Sequence, residues 1–595
     1  MILTRPDIAG TFGVVASTHW IASQSAMAVL ERGGNAFDAA VAAGFVLQVA
    51  EPHLNGPGGD VPIIIHSAES GRQHVICGQG TAPAAASIEA FEGLGLGMIP
   101  GTGLLPAVVP GSFDAWCLLL RDFGTMEFAD VVSYAMGYAA NGIHLVPRVS
   151  ASIASVRPLF EREWPTSAEV FLPGGKVPAA RSLFRRPALA RTWEALAAAG
   201  TGPSRERRID AVRKAWSEGF VAEAVDRFYR EARLLDTSGE RHGGFLRGED
   251  MAGWEATIEA PLTLDYAGRY TVLKCGPWSQ GPVFLEQLSL LAGFDLGAMD
   301  PLGADFVHTV VECAKLAYAD REAFYGDPDF VDVPMETLLS KAYADARRAL
   351  FGETASLELR PGTVPGYDNT IDLGTPGESI EIDALWAGEP TLANLPKFAE
   401  QRGDTCHVDV IDRWGNMVSA TPSGGWLQSS PVVPELGFPI TTRGQMFTLK
   451  KGQPNALAPK KRPRTTLTPS FALRDGEPWM AFGTPGGDQQ DQWSLIFFLR
   501  RVHHGMTSQE SIDAPSFHSE HWPSSFWPRE AHPGKVVLEE RFGADVAKRL
   551  SDRGHSVQMG PPWSEGRLSA ASREADGQMY AAANPRGEQG YAVGR

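Results

Sequence analysis

The sequence is poor in cysteine and in positive charge, and it has no long apolar segment. Only five of its 595 residues are cysteine and none forms a CxxC pair, so neither a disulfide framework nor a zinc knuckle is expected. No stretch approaches the roughly 18 uninterrupted apolar residues of a membrane-spanning helix. The N-terminus also lacks the basic and apolar regions of a secretory signal. We therefore expect a cytoplasmic protein that does not enter a membrane.

The deficit of basic residues argues against nucleic acid as the main partner. The chain has 53 Lys and Arg against 70 Asp and Glu, a net charge of −17, whereas binding to phosphate backbones requires a clustered positive surface. The one basic run, residues 460–464, is short and is typical of a solvated loop. The length exceeds the roughly 250–300 residues of one hydrophobic core. Ordinary contents of hydrophobic (43%) and charged (21%) residues indicate a folded globular protein.

Most catalytic signatures are also missing. There is no GxSxG elbow, no HExxH and no P-loop. The Gly-rich run at 93–97 has neither a clear preceding strand nor the spacing of a dinucleotide site. The histidines at 503–504, 518 and 521 lie in a helix tail and in a loop rich in Trp and Pro, which does not favour a metal site. We expect no metal and no cofactor.

Helix and strand signals alternate along the chain, and hairpin signals are concentrated in its C-terminal third. Apolar residues recur at three- and four-residue spacing in 17–50 and 304–324, which predicts helices. Residues 406–421 and 470–483 alternate around turns, which predicts two β-hairpins. Together these signals predict an α+β fold in which helices cover the sheets. Residues 352–404 are polar, rich in Gly and Pro and almost without periodicity, which predicts a mobile linker.

The most informative position is Thr405, which begins a predicted strand directly after that linker. A threonine hydroxyl is a weak nucleophile, and a nearby amine can activate it as a base. Cleavage between Asp404 and Thr405 would create such an amine on the same residue, with a reference pKa of about 8. The alternative is a threonine that merely begins an edge strand.

The context of Thr405 favours the nucleophile. Thr405, His407, Asp412 and the Gly415-Asn416 turn resemble the start of the small subunit in the gamma-glutamyltransferase family. Further stretches resemble the same family in the same order, at residues 31–49, 314–334, 461–469 and 483–487.

The resemblance implies an N-terminal nucleophile hydrolase with a four-layer αββα fold, which cuts itself between Asp404 and Thr405. Residues 1–404 would form the large subunit, with 352–404 as the linker before the cut, and residues 405–595 the small subunit. Thr405 would attack an amide carbonyl and form an acyl-enzyme that water or an acceptor amine resolves. The implied partners are a small-molecule amide and the two subunits of one precursor. Assembly of processed heterodimers into a homo-oligomer stays open.

The resemblance also implies roles for residues around the nucleophile. Gly486 and Gly487 would donate backbone N–H groups to the oxyanion, and Thr421 and Ser423 would place hydroxyls beside Thr405. A further pair of hydroxyls, Ser-Ser in typical members, contacts the substrate carboxylate, and here that pair is Thr465 and Thr466.

The residues that hold a γ-glutamyl group in typical members are changed. Gln79 stands where the family has an arginine for the α-carboxylate, and Met446 stands where it has an acidic residue for the α-amino group. Arg443 is an added cation, which would repel an ammonium group and offers a new anchor for a carboxylate. Each lost charged pairing costs about 1.5–3 kcal/mol.

These departures favour an amide hydrolase or acyltransferase of this family whose acyl group carries a carboxylate but lacks an α-amino group. Oxamate and glutaryl amides fit that description, and oxamate amidohydrolases and some cephalosporin acylases belong to the family. Two alternatives stay open at this point. One is an ordinary gamma-glutamyltransferase or glutathione hydrolase. The other is an inactive member that serves as a binding protein.

Overall fold

The computed structural model describes residues 3–372, 405–586 and 590–595. Residues 373–404, which include Asp404 and most of the predicted linker, lie outside the described residues. Residues 353–372 contain no helix or strand.

Two large antiparallel sheets form the centre of the protein. Sheet 1 contains, in spatial order, β1 (Ile8–Gly10), β22 (Met579–Ala583), β21 (Ser569–Arg573), β17 (Glu477–Gly483), β16 (Ser470–Arg474), β11 (Tyr270–Lys274) and β10 (Leu262–Tyr266). Sheet 2 contains β23 (Tyr591–Gly594), β2 (Gly13–Ser17), β12 (Val408–Asp412), β13 (Met417–Ala420), β3 (Val61–Ser67), β4 (Arg72–Gly78) and β9 (Thr257–Glu259). Each sheet therefore combines strands from before residue 373 with strands from after residue 404.

The remaining strands form small sheets. These are β5 (Ile143–His144) with β6 (Leu183–Phe184), β7 (Leu234–Leu235) with β8 (Arg241–His242), β14 (Val432–Val433) with β15 (Phe438–Pro439), and β18 (Phe517–Ser519) with β19 (Lys535–Glu539) and β20 (Ser556–Gly560).

The structure contains 18 α-helices within the described residues, and some of them pack on the outer faces of the two sheets. In the first 372 residues they are α1 (Trp20–Glu31), α2 (Ala36–Ala50), α3 (Ile88–Gly93), α4 (Ser112–Phe123), α5 (Phe128–Asn141), α6 (Pro147–Arg162), α7 (Pro165–Phe171), α8 (Pro187–Ala199), α9 (Arg205–Ser217), α10 (Phe220–Glu231), α11 (Gly248–Ala252), α12 (Gly281–Leu291), α13 (Ala304–Phe324), α14 (Met335–Leu338) and α15 (Lys341–Arg348). After residue 404 they are α16 (Gln490–His503), α17 (Ser508–Asp513) and α18 (Ala544–Asp552).

Three hydrophobic layers hold these elements together. Sheet 2 packs against α1, α2, α4, α5 and α8, with Phe45 and Trp116 fully buried among them. Sheet 1 packs against α12, α13 and α16. Between the sheets lie side chains such as Ile64 and Phe471. The architecture is the four-layer αββα arrangement of N-terminal nucleophile hydrolases, which confirms the predicted α+β fold class.

The first helix pair shows why the sequence predicts these elements well. Asn35 caps α2, its side chain accepting from the backbone N–H of Asp38, while the Asp38 carboxylate accepts from the N–H of Asn35. This reciprocal capping fixes the start of the helix. Gly33, in the turn before it, has a φ of 97°, a conformation that favours glycine.

The structure shows the state of the cysteines and whether any helix is long and apolar enough to span a membrane. All five cysteines are buried free thiols. Among the described residues, no helix combines the length and the apolarity that crossing a bilayer demands.

Candidate active site

The hairpin of β12 and β13 determines which side chains surround Thr405. Its antiparallel register continues beyond the strands to a bridge between Thr405 and Ser423. Because side chains alternate between the faces of a strand, Thr405 and His407 project from the same face as Thr421 and Ser423. Thr405 is fully buried, and its Oγ1 donates a hydrogen bond of 3.2 Å to the Oγ of Ser423. The predicted nucleophile and the two predicted hydroxyls of Thr421 and Ser423 therefore lie on one face of the hairpin.

A buried chain of hydrogen bonds extends from Thr421 into sheet 1. The Nδ1 of His407 lies 2.9 Å from the Oγ1 of Thr421, and its Nε2 lies 2.9 Å from Asp409 Oδ1. The other oxygen of Asp409 accepts from the hydroxyl of Ser569 at 2.8 Å. A Cβ on Gly483 would collide with the imidazole of His407, so glycine at this position makes room for the ring.

Gly486 and Gly487 form the turn between β17 and α16. Their φ angles are 124° and 48°, a region that favours glycine, and a Cβ on Gly486 would collide with the ring of Trp493. A 3₁₀ turn over Gly487–Gln489 leads directly into α16. Backbone N–H groups at a helix N-terminus favour negative charge, which suits an oxyanion.

Side chains from before residue 373 hold this turn in place. Gln280 Nε2 donates to the carbonyl of Gly487 at 3.2 Å, and Arg321 donates to Gln280 Oε1 at 3.0 Å. Arg321 also forms a buried ion pair with Asp488. The hydroxyl of Tyr318 donates to the carbonyl of Asp488 at 2.6 Å.

Thr465 and Thr466 lie beside the same turn. The backbone of Thr465 accepts from Gln280 N at 2.8 Å and donates to the carbonyl of Trp278 at 2.9 Å. Thr466 is 1% exposed, and within the described ranges its Oγ1 has no hydrogen-bond partner.

Arg443 is linked to Ser423 through Asp60. It begins a buried 3₁₀ turn, its guanidinium lies 5.0 Å from the centre of the Trp426 ring, and its Nε donates to Asp60 Oδ2 at 3.2 Å. Its Nη1 and Nη2 have no hydrogen-bond partner among the residues that the structure describes. Buried polar groups without partners are rare in folded proteins, so these atoms indicate a place for a ligand.

Asp60 is a site residue that the sequence reasoning missed. Its backbone pairs with Ser423 in both directions, at 2.8 and 2.9 Å, and its Oδ2 accepts from Thr441 at 2.8 Å. Burial raises its pKa to about 6, more than the nearby Arg443 guanidinium lowers it. The available signal was an acidic residue directly after the Gly-rich turn of residues 55–59. A Cβ on Gly59 would collide with the Ser423 carbonyl, so this turn lets the two backbones approach closely.

Two of the predicted substrate-binding residues have other surroundings. Gln79 is fully buried and donates to the carbonyl of the adjacent Gly80 at 3.1 Å. No hydrogen bond within the described residues joins Gln79 to Thr405 or Arg443. Met446 packs with Trp426 and Phe526 in a small apolar cluster, so it forms an apolar wall near Arg443.

One group of side chains has the composition of a metal site, and it lies outside this site. His308, Glu312 and His555 bring three ligand atoms within 4.8 Å of one another. Glu312, however, accepts from the ammonium of Lys315 at 2.6 Å, so a cation already neutralises its carboxylate. This arrangement is typical of an internal ion pair.

The chain resembles known proteins over nearly its whole length. The family model described as gamma-glutamyltranspeptidase matches residues 22–594. The chain is 30% identical over 597 residues to the oxamate amidohydrolase proenzyme of Klebsiella pneumoniae subsp. pneumoniae, covering 98% of each sequence.

Two solved structures resemble the whole chain. That of LmbA2991HD has a TM-score of 0.92 and 55% identity, with 100% of both chains covered. The crystal structure of a cephalosporin acylase from Bacillus halodurans has a TM-score of 0.82 and 27% identity, with 100% of this chain and 98% of the other covered.

Proposed function

Because the chain belongs to the gamma-glutamyltranspeptidase family, a family of hydrolases and acyltransferases, we propose that it cleaves an amide through an acyl intermediate on Thr405. The precursor would first cut itself between Asp404 and Thr405. The small region would then begin with Thr405, and its new amine would act as the base for its own hydroxyl. The resulting large and small subunits would be the partners 1–404 and 405–595.

The buried hydroxyls support this chemistry. Oγ1 of Thr405 already donates to Ser423, and the N–H groups of Gly486 and Gly487 lie at a helix N-terminus. In the reaction, Thr405 Oγ1 attacks the amide carbonyl, and its proton passes to the amine. The amine returns a proton to the leaving nitrogen as the C–N bond breaks. Water then hydrolyses the ester, which releases the acid.

The single observation that supports the substrate class is the fully buried Arg443, whose Nη1 and Nη2 have no hydrogen-bond partner among the residues that the structure describes. A guanidinium binds a carboxylate with two parallel hydrogen bonds. We therefore assign the acyl group to carboxylates that lack the α-amino group of a glutamyl unit, such as oxamate or glutaryl amides. The similarity to an oxamate amidohydrolase proenzyme supports the same class.

Self-cleavage is tested on the purified protein by a denaturing gel and by mass spectrometry of the small fragment. We expect fragments of 404 and 191 residues, the second beginning at Thr405, and no cleavage in Thr405→Ala. A wild-type protein that stays intact under native conditions contradicts the proposal.

The anchor is tested by turnover of oxamate and glutaryl p-nitroanilide by processed protein. We expect Arg443→Ala to lower kcat/KM by about 10- to 100-fold, the effect of losing a charged hydrogen-bonding partner. Arg185→Ala, which removes an exposed arginine, serves as the control. Turnover that is unaffected in Arg443→Ala excludes this residue as the anchor.

A further inference from the structure

Asp60 and Arg443 form a buried ion pair beside the candidate nucleophile. Both side chains are fully buried, and Arg443 Nε lies 3.2 Å from Asp60 Oδ2. Thr441 donates to the same oxygen at 2.8 Å. Oδ2 therefore has two donors, which fix the orientation of the carboxyl group.

Three atoms of the pair are left without partners in the described parts of the chain. They are Nη1 and Nη2 of Arg443 and Oδ1 of Asp60. Two of these atoms are donors and the third is a carboxyl oxygen, so the pair offers both kinds of hydrogen-bonding group. Such buried and unsatisfied atoms carry a desolvation cost that a ligand would relieve.

The net charge of this pair determines whether a proton is taken up when a ligand carboxylate binds. Arg443 and Asp60 together are neutral, so a carboxylate on the Arg443 nitrogens would add one uncompensated negative charge in a buried place, which is costly. One proton on Asp60 restores neutrality. It also converts Oδ1 from an acceptor into a donor that can bind the second oxygen of the ligand carboxylate.

We propose that Asp60 is a specificity-determining residue of the acyl pocket, and that it takes up a proton when a carboxylate without a neighbouring amine binds to Arg443. This inference rests on the proposed function, whose substrate anchor it extends. An acyl group with an α-ammonium brings its own positive charge and needs no such proton, because the ionised Oδ1 can accept from it. Protonated Asp60 therefore favours acyl groups without an α-ammonium, and ionised Asp60 favours acyl groups that carry one.

The surroundings of Asp60 favour proton uptake near neutral pH. Burial already raises its pKa to about 6 in the empty site, and a second carboxylate nearby raises the pKa of an acid further. Arg443 is the charged side chain that faces Asp60, while Thr441 and Ser423 are uncharged. The Thr405 amine produced by cleavage would be a further titratable group nearby.

The experiment is titration calorimetry of processed protein with oxalate and with glutarate, the acids that hydrolysis of oxamate and of glutaryl amides releases, in buffers that differ in ionisation enthalpy. At about pH 7.5 we expect uptake of about one proton per ligand bound, falling toward zero near pH 5, where Asp60 is already protonated. Asp60→Asn should bind both ligands with no proton uptake at either pH, because its amide donates at every pH. Arg443→Ala should bind both ligands about 10- to 100-fold more weakly.

A matched control is Asp236→Asn, which changes another buried aspartate that pairs with His242. This variant should keep the proton uptake of the wild type. Binding without proton uptake in the wild type overturns the inference, and so does uptake that persists in Asp60→Asn or failure of both ligands to bind.

A second measurement compares glutaryl and γ-glutamyl p-nitroanilide as a function of pH. Both substrates use the same catalytic groups, so the ratio of their kcat/KM values isolates the acyl pocket. We expect this ratio to fall at least tenfold between about pH 5.5 and pH 8 in the wild type, and to change less than about twofold in Asp60→Asn. A ratio that is independent of pH in the wild type contradicts the inference. If proton uptake is as expected but no acyl intermediate forms on Thr405, the proposed function is refuted, whereas the inference about Asp60 is not.

Discussion

His407 contacts Thr421 through Nδ1 and Asp409 through Nε2, and these contacts determine how its protons are placed. Asp409 accepts from Nε2–H, so in the neutral imidazole Nδ1 accepts from the Thr421 hydroxyl. The lone pairs of that hydroxyl then remain to accept from a donor such as the amine of a processed Thr405. We therefore expect His407 to act through Thr421 as a positioning residue.

Thr421→Val tests the role of this hydroxyl. The isosteric change removes the hydroxyl, and we expect both self-cleavage and turnover to slow by about 100-fold, within the range for losing a positioned proton-transfer partner. Thr421→Ser should retain most of both rates. Thr192→Val, a buried threonine on α8, is the control for loss of stability. Equal rates in Thr421→Val and the wild type would show that the hydroxyl takes no part.

Part of the site could be predicted residue by residue, and part could not. The hairpin spacing places Thr405 opposite Ser423 and His407 opposite Thr421, because pairing in a hairpin is fixed by its turn, and the structure has this register. Asp60 and Arg443 are separated by 383 residues, and no local pattern specifies a contact over such a distance. The charge of Arg443 was visible in the sequence, whereas the neutralising carboxylate beside it was not.

At the scale of secondary structure, the turn between β17 and α16 depends on two helices from the other part of the chain. Gln280 precedes α12 and Tyr318 and Arg321 belong to α13, yet all three bind the turn at Gly487 or Asp488. Helix boundaries were predicted well here, since α13 spans Ala304–Phe324 as the periodicity indicates. Contacts between helices and turns have no such periodicity and could not be predicted.

Gln280→Met tests whether this support matters for the reaction. The substitution keeps the length of the side chain but removes both hydrogen bonds, so the Gly487 carbonyl keeps its bond from the backbone N–H of Gln490 but is held less firmly. We expect the acylation rate to fall about tenfold, less than the 100- to 1000-fold loss of an oxyanion donor itself, with KM nearly unchanged. Gln287→Met, which lies in α12 and is bonded to Asp491, should keep the acylation rate. Equal losses in both variants would mean that Gln280 contributes only to stability.

At the scale of the whole molecule, the coil that follows α15 binds both parts of the chain. The backbone carbonyl of Gly352 lies 2.8 Å from His308 Nε2, and the backbone carbonyl of Glu358 lies 3.2 Å from His521 Nε2. His308 in turn contacts His555 at 2.8 Å. Burial, together with the nearby Lys315 ammonium, lowers the pKa of His521 to about 4 and that of His555 to about 3.

These histidines predict a loss of stability in acid. They are neutral in the folded protein, whereas in the unfolded chain they take up protons below about pH 6.5. Their contribution to stability is therefore complete above that pH and is lost as the pH falls from about 6.5 toward their folded pKa values. We expect Tm to decrease over this range, and to decrease less in His555→Gln. His144→Gln, which changes an exposed histidine, should match the wild type, and identical pH profiles for all three proteins would contradict this prediction.

The mixed composition of the two sheets has a consequence for the products of self-cleavage. β2 pairs with β12, β13 pairs with β3, and β11 pairs with β16, so strands from the two parts are hydrogen-bonded to each other within both sheets. Two fragments joined in this way would elute as one particle at any dilution, because their separation requires that both sheets melt. Each fragment alone would expose long unpaired strand edges, which are sites of aggregation. Fragments once separated by denaturant would therefore precipitate when refolded singly, and regain a native particle only when refolded together.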